Sequence, residues 1–449
     1  MAKTENRLSE KPSLFKLTVP IYVEYLLAML VGNLDQMMIS RYDNNCVTAI
    51  GNANQVLNLL VMTFTIVNTA TTVLITQYIG AGRKEQIPVT HTLAVFLNLV
   101  GGGLISAALF FGADPIFDFL GPPEWVREDF RAYMQIVGGT LFLQSVFSTF
   151  SAIFKSHAQM RPVMLLSVVM NVVNVATNAI LIYGIGPFPQ LGIRGAALGT
   201  VVSRLVVTVL IIILYFRYIK ISLSPKNLCP FPFDQLRRIA AIGIPSGGEG
   251  VSYNITTTVI MIMINTFGQT SINTKLYASM FAMVTWMFAS SVSQASGILV
   301  GYHMGGRDHE AADRQVRRTL LLSVIVTTSI AVLLRLISDP LFGFMNADAA
   351  VVTLGKTILM IDIILELGRA VNIVMVRSLQ ATGDVIFPIG LSISSTWLIA
   401  VGLSWLFGIR LGMGLPGVWL AMACDEITRA VIFLFRWKSG KWRTKNVID

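Results

Sequence analysis

The sequence predicts an all-α polytopic membrane protein, with twelve transmembrane helices in two pseudo-symmetric six-helix lobes around a central cavity. Three observations predict it. Hydrophobic residues make up 54% of the 449-residue chain and charged residues only 13%, roughly half the about 25% charged fraction of soluble domains. The apolar runs are about 20 residues long, enough to satisfy every backbone amide as a helix within lipid, whereas a membrane barrel shows short alternating segments. The chain also repeats itself. Pro20-Ile21-Tyr22-Val23-Glu24 returns as Pro245-Ser246-Gly247-Gly248-Glu249, an offset of 225. Gly82-Arg83 answers to Gly306-Arg307, and Gly192-Ile193-Arg194-Gly195-Ala196-Ala197-Leu198 answers to Gly414-Leu415-Pro416-Gly417-Val418-Trp419-Leu420. Internally duplicated helical membrane proteins of this size are predominantly secondary transporters, with their sites at the repeat interface.

The elements follow in order. A polar start, Met1 to Pro12, lacks the short apolar core and small-residue cleavage site of a signal peptide, so the first span, 17–41, serves as the insertion signal. The second, 47–80, stops at Gly80-Ala81-Gly82, and Gly121-Pro122-Pro123 separates the third, 90–112, from the fourth, 131–155. The fifth, 162–186, closes at Gly186-Pro187-Phe188-Pro189 and the sixth covers 195–218. The segment Ile219 to Leu236, carrying Pro225, Pro230 and Pro232, reads as the longest cytoplasmic connection. The second half gives 237–267, 273–303 ending before Gly305-Gly306, 317–338, 351–380, 385–409 and, after Gly412-Met413-Gly414, 415–436. The domain reading is an amino-terminal lobe at 1–220, a linker at 221–236, and a carboxyl-terminal lobe at 237–449 with a short basic tail.

An even span count puts both termini on one side. That side holds 23 of the 34 Lys and Arg, Lys3, Arg7 and Lys11 among them, against eight opposite; Arg204, Arg369 and Arg429 fall inside spans. By the positive-inside rule both termini are cytoplasmic. The same dispersed loop charges account for the net charge of +10 without a nucleic-acid partner. Cys46, Cys229 and Cys424 show no CxxC spacing, so they are read as packing residues rather than metal ligands or a disulfide framework.

Function rests on the intramembrane polar residues. Asp35 lies deep in the first span, and an ionisable residue at that depth is a functional candidate by default. A carboxylate taken out of water is easier to protonate, so such a group can load and release a proton near neutral pH. Asn171, Asn174 and Asn178 recur at helical spacing in the fifth span, where an amide can donate to a carboxylate or offer its oxygen to a cation, although interhelical packing explains them as well. Glu249, Glu366, Arg369, Asn372 and Tyr253 are secondary cavity candidates in the second half, with Glu366 and Arg369 able to neutralise one another at i, i+3. Asp425, Glu426 and Arg429 form a similar group in the last span, and Glu24 echoes Glu249 near the cytoplasmic start of the first.

These residues resemble the multidrug and toxic compound extrusion (MATE) family. The resemblance is carried by Pro20 with Asp35 fifteen residues later, by Val47-Thr48-Ala49-Ile50-Gly51-Asn52-Ala53, by Gln77-Tyr78-Ile79-Gly80-Ala81-Gly82, and by Ser378-Leu379-Gln380-Ala381-Thr382-Gly383-Asp384, and it covers essentially the whole chain. It implies a cation-coupled antiporter of the bacterial NorM-like or DinF-like type, exporting amphiphilic organic cations across a bacterial inner (plasma) membrane. It also implies that Asp35 is the coupling carboxylate, Pro20 the bend-forming proline, and Asn174 and Asn178 the polar positions of the fifth helix. Archaeal members carry an aspartate where Asn178 stands, so an amino-lobe site here has a single carboxylate. In the carboxyl lobe, Arg369 falls near a family acidic position and would oppose sodium there. Proton is therefore the expected coupling ion and sodium the alternative, with no other cofactor, no catalysis and a monomeric protein in the bilayer. A lipid-linked oligosaccharide flippase is a further alternative, kept open by the three intramembrane arginines. An intramembrane enzyme finds no HExxH, GxxxxGK[ST] or Ser-His arrangement within a span.

Overall fold

A computed structural model describes residues 13–445 and 447–448. The polar start Met1 to Pro12, with Lys3, Arg7 and Lys11, lies outside the described residues. Among these residues twelve helical rods follow, close to their expected bounds except that α4 and α9 begin earlier, at Glu124 and His309 rather than 131 and 317: α1 (Leu14–Tyr42), α2 (Asn44–Gly80), α3 (Gln86–Phe111), α4 (the bent pair Glu124–Gly138 and Leu141–Ser156), α5 (Met160–Tyr183), α6 (Gly192–Ile219), α7 (Phe233–Asn265), α8 (Gln269–Gly305), α9 (His309–Leu336), α10 (Ala349–Thr382), α11 (Ile386–Arg410) and α12 (Gly414–Lys438).

Among the described residues, eight of these are single helices apolar and long enough to cross a membrane, and the two parts of α4, bent by 40°, make a ninth together. The bend was not expected. It falls where the turn Met134–Gly138 widens to a π-type turn ahead of Gly139-Thr140, and such an insertion breaks the regular i to i−4 ladder. The other three rods, α7, α10 and α12, are more polar, and the charges that make α10 and α12 so lie in one paired cluster described below. Pro20 and Pro245 each sit inside a continuous helix, α1 and α7. A proline removes one backbone hydrogen bond, which a packed membrane helix tolerates.

The chain divides into two compact units. One comprises Val19–Ile79 and Arg83–Gly243; the other is built on Ile244–Asp449, with Gly80–Gly82 and the chain up to Thr18. The division falls inside α7, so the proline-rich connection belongs to the first unit, where the Asn227 amide donates to the Thr92 hydroxyl at 3.0 Å. The core of the first unit gathers Ile50, Phe64, Phe117, Phe130, Met134 and Leu141. In the second unit one cluster centres on Ile264, Leu365 and Trp419 and another on Met304, Leu379, Phe433 and Trp442. The last of these is capped by the chain after α12, where Trp442 stacks on Trp437 at 4.2 Å; within α12, Arg436 pairs with Asp384 at 2.8 Å.

The duplication extends into elements that the sequence reading left as connections. A short helix, Ala113–Leu120, follows α3, and its counterpart Ser338–Phe344 follows α9. At an offset of 225 both carry Asp-Pro, a buried phenylalanine (Phe117 and Phe342), and an exposed one, Phe119 at 90% and Phe344 at 88%. Left-handed backbone recurs at the same offset, at Gly121 (φ 65°) and Asn346 (φ 50°) and at Gly82 (φ 69°) and Arg307 (φ 56°). Backbone conformation thus pairs Gly82 with Arg307, one residue away from the match of the dipeptides.

Candidate functional site

In the first unit, α5 and α6 pack closely because α6 presents glycines to it. A Cβ at Gly195 would fall 2.6 Å from the Leu181 carbonyl, and one at Gly199 would fall 2.0 Å from Asn178 Oδ1. The small face of α6 therefore fixes the Asn178 side chain, whose Nδ2 donates to Asp35 Oδ1 of α1 at 2.8 Å. The same Nδ2 lies 3.4 Å from Asn174 Oδ1, one turn away on α5. Asp35, Asn174 and Asn178 are brought together as expected. Asn171 is buried on the same helix but makes no bond to them, and its Nδ2 has no partner among the described residues.

The sequence identified Arg204 as an intramembrane cation without placing it. It stands on α6, five residues beyond Gly199, near enough for its charge to act on Asp35 and on the Tyr133 hydroxyl. Its Nη1 is buried and unpartnered among the described residues. Tyr133 belongs to the core of the first unit. Toward the start of α1, Glu24 pairs with Lys155 at 2.9 Å, so this carboxylate has a counter-charge and Asp35 a hydrogen-bond donor. A separate polar network was not anticipated: the Asn98 amide donates to Asn68 at 2.8 Å and to Thr149 at 2.7 Å, tying α2, α3 and α4 together. Two histidines are absorbed by packing, His91 lying 2.9 Å from the Tyr215 hydroxyl and 3.3 Å from His157.

The second unit holds a denser cluster. Glu366 and Arg369 pair on α10, as their spacing predicts. On α12, Arg429 bonds Asp425 at 2.6 Å and Glu426 at 3.1 Å, and Arg369 reaches Glu426 at 3.9 Å. Asn372 donates to the Glu426 carbonyl at 2.8 Å and also to its carboxylate, and Ser395 donates to Asp425. Buried Asp362, which the sequence reading overlooked, accepts the Trp419 indole N–H at 3.0 Å. Four carboxyl groups thus surround two guanidinium groups, an excess of two negative charges if all are ionised. Glu366 Oε2 and Asn372 Oδ1 have no partner among the described residues. Two secondary candidates stand apart: Glu249 is half-buried and feels the charges of Arg377 and Arg429, while Tyr253 is 59% exposed and its hydroxyl makes none of the cluster's bonds.

Chemically, the first cluster can hold and release a proton on a carboxylate that keeps an amide donor in reach. The second can share protons or cations among its carboxyls, with Glu366 already engaged by a guanidinium. Among the described residues there is no group of three or more His, Cys, Asp or Glu that could hold a metal ion.

The MatE family model matches residues 20–180 and 245–406. The chain is 34% identical over 435 residues to the uncharacterized transporter YisQ of Bacillus subtilis, covering 97% of this chain and 96% of that protein. It is 23% identical over 438 residues to the probable multidrug resistance protein NorM of Thermotoga maritima, covering 98% and 94%. Among solved structures, the Vibrio cholerae MATE transporter VcmN in its bent form shares the fold with a TM-score of 0.89 at 18% identity, over 100% of this chain and 99% of that one. MATE structures in bent and straight conformations each align at a TM-score of 0.87, covering 96% of this chain and 95% and 96% of theirs, at 19% and 18% identity.

Proposed function

The chain belongs to the multidrug and toxic compound extrusion family of efflux transporters, and from that premise we propose that it is a proton-coupled antiporter exporting amphiphilic organic cations across a bacterial plasma membrane. Lobes at 1–220 and 237–449, joined by the linker 221–236, alternate in access, and both termini are cytoplasmic. The observation that carries the reading is the bond from Asn178 to Asp35 at 2.8 Å, an intramembrane carboxylate with an amide donor poised on it.

With the site open to the outside, Asp35 takes a proton on its carboxylate. A protonated carboxyl is a poorer acceptor for the Asn178 amide, so that bond weakens and α1 is free to bend near Pro20. Named bent and straight conformations of solved relatives support a bend of this kind. The cation loses its counter-charge and leaves. Facing inward, Asp35 releases the proton and attracts the next cation. Each proton entering contributes about 2.3 kcal/mol per 100 mV of membrane potential, enough to bias gating steps of a few kcal/mol.

The test is efflux of a fluorescent organic cation from liposomes under an imposed proton or sodium gradient, for the wild type and Asp35→Asn. Proton-driven efflux lost in the variant is the expected result; full coupled efflux in Asp35→Asn would sink the scheme. The second reading, sodium coupling, is favoured by the excess of carboxyls around Glu366 and Glu426, and efflux driven by sodium alone would select it.

A further inference from the structure

The three intramembrane arginines are not equivalent. Arg369 bonds Glu366 and reaches Glu426, and Arg429 bonds Asp425 and Glu426, so each guanidinium is met by two carboxylates. Arg204 has no carboxylate within ion-pair distance among the described residues, and its Nη1 is buried with nothing to bond. A guanidinium carries five N–H donors in a planar fork suited to a carboxylate, and a buried donor left unpaired costs about 1 to 3 kcal/mol, more for a charged group. The carboxylate nearest in its surroundings does not fill that role: Asp35 acts on it only at a distance and already accepts from Asn178. Asn171, on the neighbouring α5, has a second buried donor without a partner, Nδ2.

We infer that Arg204 is a recognition point for a carboxylate or similar oxyanion carried by the transported molecule, which makes the preferred substrate amphoteric rather than simply cationic. This rests on the antiporter reading and narrows its substrate class. The cationic end of such a molecule faces Asp35 and its anionic end takes the Arg204 fork, so this pair supplies one charge of each sign. A purely cationic guest would leave Arg204 unpaired and meet its repulsion. Arg204 is therefore a specificity-determining residue.

The test uses a fluorescent xanthylium dye bearing a free carboxylate and the methyl ester of the same dye, which differ only in the anion. Binding of both is measured by fluorescence polarisation on the full-length protein in lipid nanodiscs, and efflux of both from proton-gradient liposomes. The acid is expected to bind about tenfold more tightly than the ester, a difference of about 1.4 kcal/mol. In Arg204→Gln the acid-to-ester ratio falls to about one, and in Arg204→Lys part of the preference survives, because an ammonium keeps the charge and loses the fork. Equal binding of acid and ester to the wild type overturns the inference, as does an undiminished ratio in Arg204→Gln. If that variant does not fold, the wild-type ratio still decides. A preserved acid preference without proton-driven efflux of either dye would refute the antiporter and leave the carboxylate site standing; efflux with no preference would do the reverse.

Discussion

Gly199 of α6 lies directly against the side chain of Asn178 of α5: a Cβ on Gly199 would stand 2.0 Å from Asn178 Oδ1. The absence of a side chain at one position thus orients the amide that bonds Asp35. Gly199→Ala is expected to push Asn178 off its present rotamer and break the 2.8 Å bond to Asp35, at about 1 to 3 kcal/mol for the overpacking. Coupled efflux should fall while the protein still inserts. Wild-type transport rates in Gly199→Ala liposomes would show that the contact is slack.

Glu426 is the hub of the cluster in the second unit, touching Arg369, Arg429 and Asn372. Neutralising it weakens contacts to two guanidinium groups and one amide at once, and a buried donor left unmet costs about 1 to 3 kcal/mol. Glu426→Gln should therefore lower the thermal midpoint of the purified protein by several degrees, as read by tryptophan fluorescence. A midpoint within one degree of wild type would show that water reaches the cluster.

Glu366 and Arg369 are expected to couple. Glu366→Gln and Arg369→Gln each strand a charge, whereas the double variant strands neither member of that pair, so its loss should be smaller than the sum of the two single losses by more than 0.5 kcal/mol. A double-mutant cycle on unfolding midpoints measures this. Simple additivity would mean that their contact contributes nothing.

Phe117 and Phe342 anchor the two short helices, and both are fully buried. Truncating a buried phenylalanine to alanine costs about 3 to 5 kcal/mol. Phe117→Ala and Phe342→Ala should both destabilise strongly, while Phe119→Ala and Phe344→Ala, at exposed positions, should change stability by less than about 1 kcal/mol. Comparable losses at the buried and exposed positions would contradict this assignment.

Span count, span order and the central residues of the first unit were legible because each leaves a periodic or compositional mark. Asn174 and Asn178 repeat at one helical turn, and Asp35 interrupts an apolar run. The unpaired state of Arg204 left no such mark, because whether a charge finds a partner depends on what the neighbouring helices bring to it. Asp362 was passed over because its partner, Trp419, lies 57 residues away on another helix. The Asn68–Asn98 network involves neutral side chains that barely disturb hydropathy. The bend in α4 arises from one wide turn, which a count of apolar residues does not register.

The two short helices each close on the rod that follows with the same kind of contact. Asp114 lies 3.5 Å from Arg131, and Asp339, at an offset of 225, pairs with Lys356, itself 225 residues beyond Arg131. The molecule thereby carries an internal control for its own mutagenesis. Any substitution made in one copy can be made in the other, on the same short-helix scaffold and in the same preparation, and an effect confined to one copy belongs to what that half has come to do alone.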